Sequence, residues 1–214
     1  MKQSSIIARD AVPFLVILAF LTVVAFYIYP WLTFIPGILL VFVAFFFRNP
    51  HRTIPSDEGI LVSPADGVVM DISDIYEDRF IKGRAVKVSI FLSVFNVHLN
   101  RCPMDGIIAY RSYRQGKMVP AFKRHASDIN EKNYVGIEDN GFRIMVTQIT
   151  GFIARRIVCW VNQGDRVSRG DLFGLIKFGS CTEIILPEGV PVLVKKGDKV
   201  VGGETVIGRI QNEH

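Results

Sequence analysis

The chain is poor in the residues that ligate metals or form disulfides: its 214 residues include 3 cysteines and 4 histidines. Cys102, Cys159 and Cys181 are odd in number and widely spaced. That gives neither a zinc pattern nor a disulfide framework and suits reduced thiols in the cytoplasm. No set of His, Cys, Asp and Glu has metal-ligand spacing, so no metal is expected. Charge is absent altogether between Ala11 and Phe47. After Arg48 no stretch joins helical periodicity to helical length, apart from a short turn expected from Pro120 to Lys132, so a helical bundle is excluded. Heptads are missing too, which removes coiled-coil architectures.

The uncharged run itself, AVPFLVILAFLTVVAFYIYPWLTFIPGILLVFVAFFF, far exceeds the apolar core of a signal peptide. A membrane span takes roughly 17 to 20 apolar residues. Ala11 to Tyr29 and Trp31 to Phe47, joined near Pro30, therefore predict a transmembrane helical hairpin and an N-terminal anchor over residues 1–47. One long kinked span, or a re-entrant segment, is the alternative. Lys2 and Arg9 precede the run and Arg48 and Arg52 follow it. The positive-inside rule then puts both ends, and the large C-terminal part, on the cytoplasmic side of the cell membrane. A formal net charge of +5 favours an anionic membrane surface, and nothing in its pattern points to nucleic acid.

Residues 48–214 are long enough for one domain with its own core. Their short β-branched or alternating runs, among them GVVMDI, RAVKVSIFL, GIIAYRSY, FRIMVTQIT and RRIVCWV, are separated by Gly, Pro, Asp and Asn, which predicts a mainly β, largely antiparallel domain. Two segments echo each other: NQGDRVSRGDLFGLIKF from Asn162 and KKGDKVVGGETVIGRI from Lys195. Each sets Gly-Asp before an apolar residue, then a second Gly, then a strand; the glycines permit the backbone angles of tight corners while Val and Ile pack inward. The pair resembles the half-motifs of the lipoyl or biotinyl hammerhead. SPADGVVMDI and CPMDGIIAYRSYRQG look like the complementary strands, so the fold implied is a barrel-sandwich hybrid.

One string stands out chemically: KFGSCTEIILP, Lys177 to Pro187, where Gly179-Ser180 sits between two strand-like stretches. Alone, a Gly-Ser pair is an ordinary turn. In context it resembles the cleavage site of the short class of the phosphatidylserine decarboxylase family, a Phe-Gly-Ser or Leu-Gly-Ser followed by a Leu-Pro pair, here Leu186-Pro187. The resemblance extends to FFRNPHRTIP (Phe46 to Pro55), SPADG (Ser63 to Gly67), NVHLNRCPMDG (Asn96 to Gly106) and NEKN (Asn130 to Asn133), in the family's order. Five motifs in one order are far harder to meet by accident than any one of them.

The resemblance implies a lyase that turns phosphatidylserine into phosphatidylethanolamine and carbon dioxide. Decarboxylation needs an electron sink, which no ordinary side chain offers. The family makes one, a pyruvoyl group, from a serine. The Ser180 hydroxyl attacks the Gly179 carbonyl, the resulting ester eliminates to free the upstream chain, and the dehydroalanine left behind hydrolyses to pyruvoyl. The products would be chains 1–179 and 180–214, held together as a heterodimer and paired further as a homodimer, with a phospholipid substrate reached from the anchoring membrane.

An attacking hydroxyl needs a base and an orienting carboxylate. By motif position Asp66 of SPADG matches the family's triad aspartate; without the family it would read as a turn aspartate bonded to nearby backbone. His98 matches the histidine implicated in decarboxylation, where an imidazole can protonate the substrate carbon at neutral pH. Longer members carry a second histidine two residues before the proline and use it as the base for self-cleavage, whereas this chain has Arg101 there. Arginine stays protonated, so either His98 serves both steps or His125 reaches the site. The planar fork of Arg101 suits a phosphate or carboxylate, or it is a solvated strand charge. His51 and His214 attract no catalytic role. Two other readings stay open at this point: the same chemistry on archaetidylserine or a related lipid, and a non-catalytic membrane adaptor or carrier built from hammerhead halves. The second finds no lysine displayed at a hairpin tip.

Overall fold

The computed structural model describes residues 5–116, 129–151, 156–176 and 180–210. The chain divides into two compact units, Met1–His51 and Arg52–His214.

The first unit is a helical hairpin. Helix α1 covers Val12–Ile28 and α2 covers Phe34–Phe46. Pro13 and Pro36 sit in first turns, where backbone N–H groups have no intrahelical acceptor to lose. Pro30 opens a 3-10 turn, Pro30–Thr33, so α2 starts at Phe34 rather than at the expected Trp31. Helix α1 with its preceding turn, Arg9–Ile28, is long and apolar enough to cross a membrane, while Pro30–Phe46 is shorter. At 1.5 Å per residue α2 rises about 20 Å, short of the roughly 30 Å hydrocarbon layer. The hairpin's ends are tied: Ala8 N–H donates to Phe47 O at 2.9 Å and Asn49 N–H to Ile6 O at 2.6 Å. No residue of α1 is buried, although its side chains are almost all apolar; such a surface suits lipid rather than water.

The second unit is mainly β, and its strand pairs are all antiparallel. In chain order the strands are β1 (Ile60–Val62), β2 (Gly67–Glu77), β3 (Gly83–Leu92), β4 (Leu99–Arg101), β5 (Gly106–Arg114), β6 (Lys132–Asp139), β7 (Phe142–Ile149), β8 (Ile157–Cys159), β9 (Arg166–Val167), β10 (Leu172–Ile176), β11 (Ser180–Pro187), β12 (Lys199–Val200) and β13 (Val206–Arg209). One curled sheet runs β12-β2-β3-β11-β7-β6-β5-β9; β4-β10-β8 and β1-β13 form two small sheets. Val88, Ile90, Ile144, Val146, Ile184 and Leu186 of the large sheet meet Leu61, Cys102, Phe173 and Ile207 in one core. This barrel-like arrangement is the fold class expected from the sequence. The turn expected from Pro120 to Lys132 falls largely outside the described residues.

The repeat is built as predicted, with matched hydrogen bonds in its halves. Gly164 N–H donates to Ile108 O and Gly197 N–H to Val69 O, each at 2.8 Å. Ile108 and Val69 return the bond to Asp165 O and Asp198 O. The Asp165 side chain takes Asn162 N–H, and that of Asp198 takes Lys195 N–H. Gly170 and Gly203 occupy equivalent corners at the same φ of 84°. Neither corner has room for a side chain, because Ile54 fills both: its Cδ1 would stand 2.5 Å from a Cβ on Gly170 and 3.0 Å from one on Gly203.

Candidate active site

Strand β11 lies inside the large sheet, pairing with β3 along all of its length and with β7 over Cys181 to Ile185. Ser180 is its first residue and stands opposite Leu92, the last of β3. Ile176, the last residue of β10, donates its N–H to His98 O at 3.2 Å. Ile176 and Ser180, which flank residues 177–179, are therefore paired with His98 and Leu92 at the two ends of the link between β3 and β4, residues 93–98. A compact turn closes that second link: Asn96 Oδ1 accepts from Ser93 N–H at 2.8 Å and from Ser93 Oγ at 2.7 Å. Farther along, Asn100 of β4 donates through Nδ2 to Thr182 Oγ1 of β11 at 3.0 Å. Two residues earlier in the sequence stand His98, which immediately precedes β4, and Ser180, the first residue of β11. Both flank the same junction. Gly179 and His125 lie outside the described residues, and His98 is the one histidine among those described in the second unit.

Ser180 and His98 are fully buried. The Ser180 hydroxyl finds no hydrogen-bond partner among the described residues, a condition that costs about 1 to 3 kcal/mol for a buried polar group. The His98 Nδ1 lies 3.0 Å from Asn96 O. A carbonyl oxygen only accepts, so Nδ1 carries the proton in this bond; in the neutral ring Nε2 is then the basic nitrogen.

Beneath the pair runs a buried polar chain that sequence reasoning missed. Asn133 Nδ2 donates to Gln148 Oε1, and Gln148 Nε2 donates to Asn100 Oδ1, both at 2.8 Å. Asn100 in turn reaches Thr182. Gly174 leaves the space for it: a Cβ there would come within 2.7 Å of Gln148 Nε2 and 2.5 Å of Val158 O. The only sequence signal was polar residues, Asn and Gln, inside otherwise apolar strands. On the other face of β11, Glu183 is buried with Lys87 at 3.7 Å and Lys132 at 4.0 Å.

The Asp66 carboxylate is held by an arginine and a backbone amide. It accepts from Arg52 Nη2 at 2.9 and 2.7 Å and from Gly202 N–H at 2.8 Å. In the other half of the repeat Asp105 does the second of these jobs, taking Arg169 N–H at 3.0 Å. The ion pair with Arg52 is what distinguishes Asp66. Arg101 donates Nη1 to Gly170 O at 2.8 Å. Burial, and then the neighbouring charge of Arg52, lower its pKa from the usual arginine value, but a guanidinium starting so high is still a cation at neutral pH. No group of three metal-ligating side chains occurs among the described residues.

Comparison with known proteins supplies the family. The model of the family described as phosphatidylserine decarboxylase matches residues 39–208. A phosphatidylserine decarboxylase proenzyme of Carboxydothermus hydrogenoformans is 55% identical over 212 residues, covering 99% of this chain and 100% of that protein. Proteins of the same name from Symbiobacterium thermophilum and Syntrophus aciditrophicus are 49% identical, over 96% of each chain, and 41% identical, over 97% of this chain and 99% of the relative. A match of this length leaves no place for a non-catalytic adaptor: the chain is an enzyme, a decarboxylase, and belongs to the phosphatidylserine decarboxylase family.

Proposed function

We propose that this chain decarboxylates phosphatidylserine to phosphatidylethanolamine and carbon dioxide, after cutting itself between Gly179 and Ser180 and converting Ser180 into a terminal pyruvoyl group. One observation carries the reading: the Ser180 hydroxyl is fully buried and unpartnered among the described residues, at the head of a strand and opposite Leu92, where the link that contains His98 begins. A surface turn would leave such a hydroxyl to water. A buried orphan asks for an explanation, and a nucleophile whose partner is a reacting atom supplies one.

The local residues fit the group. When present, a pyruvoyl ketone supplies the electron sink that decarboxylation requires. The protein's own part is positional and protonic. His98, its Nδ1 held by Asn96 O, offers Nε2 to accept the Ser180 proton, and the same nitrogen can later return a proton to the substrate carbon. Asn100 holds Thr182, and through β11 the residue two places before it. Asp66 anchors the SPADG loop to Gly202 and to Arg52.

After cleavage, chain 180–214 stays in place because β11 remains bonded to β3 and β7, both in the first product. The products form the functional heterodimer, and two such units pair as a dimer. The apolar hairpin anchors the enzyme in the cell membrane with its β domain in the cytoplasm, so a phospholipid reaches it laterally. Ser180→Ala is the direct test: the chain stays uncut and makes no phosphatidylethanolamine, whereas wild-type turnover by that variant would defeat the pyruvoyl reading.

A further inference from the structure

The chemistry of Ser180 and His98 leaves one cluster of charge without a task. Arg52 and Arg101 approach each other around Asp66 and the Gly202-Gly203 corner. The Arg52 side chain is 11% exposed and its Nη2 bonds Asp66. Its Nε is buried with no hydrogen-bond partner among the described residues. The stem of Arg101 lies over Gly203, where a Cβ would meet its Cδ at 2.9 Å. The two cations are close enough for Arg52 to weaken the hold of Arg101 on its proton, in addition to the effect of burial. Two partly dehydrated cations side by side are costly unless anions compensate them. Asp66, Glu204, the latter bonded to Thr53 N–H at 2.8 Å, and Asp171 are the carboxylates that act on the pair from around it.

The cluster adjoins the reaction site. Pro64 O accepts from Arg101 N–H at 2.9 Å and from Asn100 Nδ2 at 3.4 Å. The same Asn100 Nδ2 bonds Thr182, and Thr182 is two residues from Ser180, about 7 Å along a strand. The geometry points to Arg52 and Arg101 as the pair that binds the phosphodiester of the substrate headgroup. This inference rests on the reading of Ser180 given above. Guanidinium forks take two oxygens of a phosphate at once.

The test uses processed full-length enzyme in detergent, with phosphatidylserine as substrate and two headgroup fragments as inhibitors. Glycerophosphoethanolamine has the phosphodiester and no carboxylate; L-serine has the carboxylate and no phosphate. Glycerophosphoethanolamine should compete with substrate in the wild type, and its inhibition constant should rise about tenfold or more in Arg52→Gln and Arg101→Gln, the worth of one charge-assisted bond. Inhibition by L-serine should not change. Arg52→Lys and Arg101→Lys keep the charge and lose the fork, so they should fall between, and they carry the test if a glutamine variant fails to process. Unchanged phosphodiester inhibition in these variants overturns the inference. So does selective loss of L-serine inhibition, which would assign the pair to the carboxylate. A wild type that neither cuts itself nor turns over phosphatidylserine sinks the underlying reading before any variant is made.

Discussion

His98 is asked to do two things with one nitrogen. In the proposed reading, with Nδ1 bonded to Asn96 O, His98 serves both the self-cleavage and the later protonation through Nε2. His98→Gln should therefore accumulate uncut chain, and any processed fraction should turn over about a hundredfold or more slowly, the usual worth of a general acid or base. Gel separation of the two chains, and carbon dioxide release per cut chain, measure the two effects separately. Normal cutting in this variant would move the base elsewhere. Ser180 and His98 stand out in the sequence because they sit in motifs, and their roles are those proposed above. The partner of Asp66 does not stand out: whether a carboxylate meets an imidazole or an arginine depends on how segments far apart in the chain come together, and the ion pair with Arg52 forms only when residues 52–54 lie across both repeat corners. The orphaned hydroxyl of Ser180 is likewise a property of its surroundings.

Strands and turns were more legible than contacts. Gly-Asp followed by a second glycine marks its corners through backbone angles that few other residues accept, so both halves of the repeat could be read directly. Gly203→Ala should cost about 1 to 3 kcal/mol, since the new methyl meets a positive φ and the Arg101 stem together. The polar chain from Asn133 through Gln148 and Asn100 to Thr182 escaped notice because each residue alone is compatible with an exposed strand face; only the stacking of β4 on the large sheet buries them. Asn100→Leu removes the partners of Gln148 and Thr182 without giving either access to water. It should destabilise the β unit by about 2 to 4 kcal/mol, read from urea unfolding in the uncut Ser180→Ala background. In the first unit, helix existence was plain from the apolar run. The late start of α2 follows from Pro30 favouring a 3-10 turn before the helix begins.

At the scale of the whole molecule, two buried thiols tie stability to pH. Burial holds Cys181 and Cys102 well above the ordinary thiol pKa. In the unfolded chain they ionise near about pH 8.5, so the unfolded state loses protons first and gains stability as pH rises. Their contribution is complete below that pH and declines above it, by up to about 1.4 kcal/mol per pH unit for each thiol. Urea midpoints of the uncut Ser180→Ala chain should fall between about pH 8 and about pH 10, and Cys102→Ala should flatten that slope. The central proposal at this scale is the conversion of one chain into two. The most direct measurement is the intact mass of purified wild-type protein under denaturing conditions. The account predicts two chains, one ending at Gly179 and a smaller one that begins at residue 180 with a blocked, amine-free terminus. A single uncut chain that persists after incubation with membranes would contradict it.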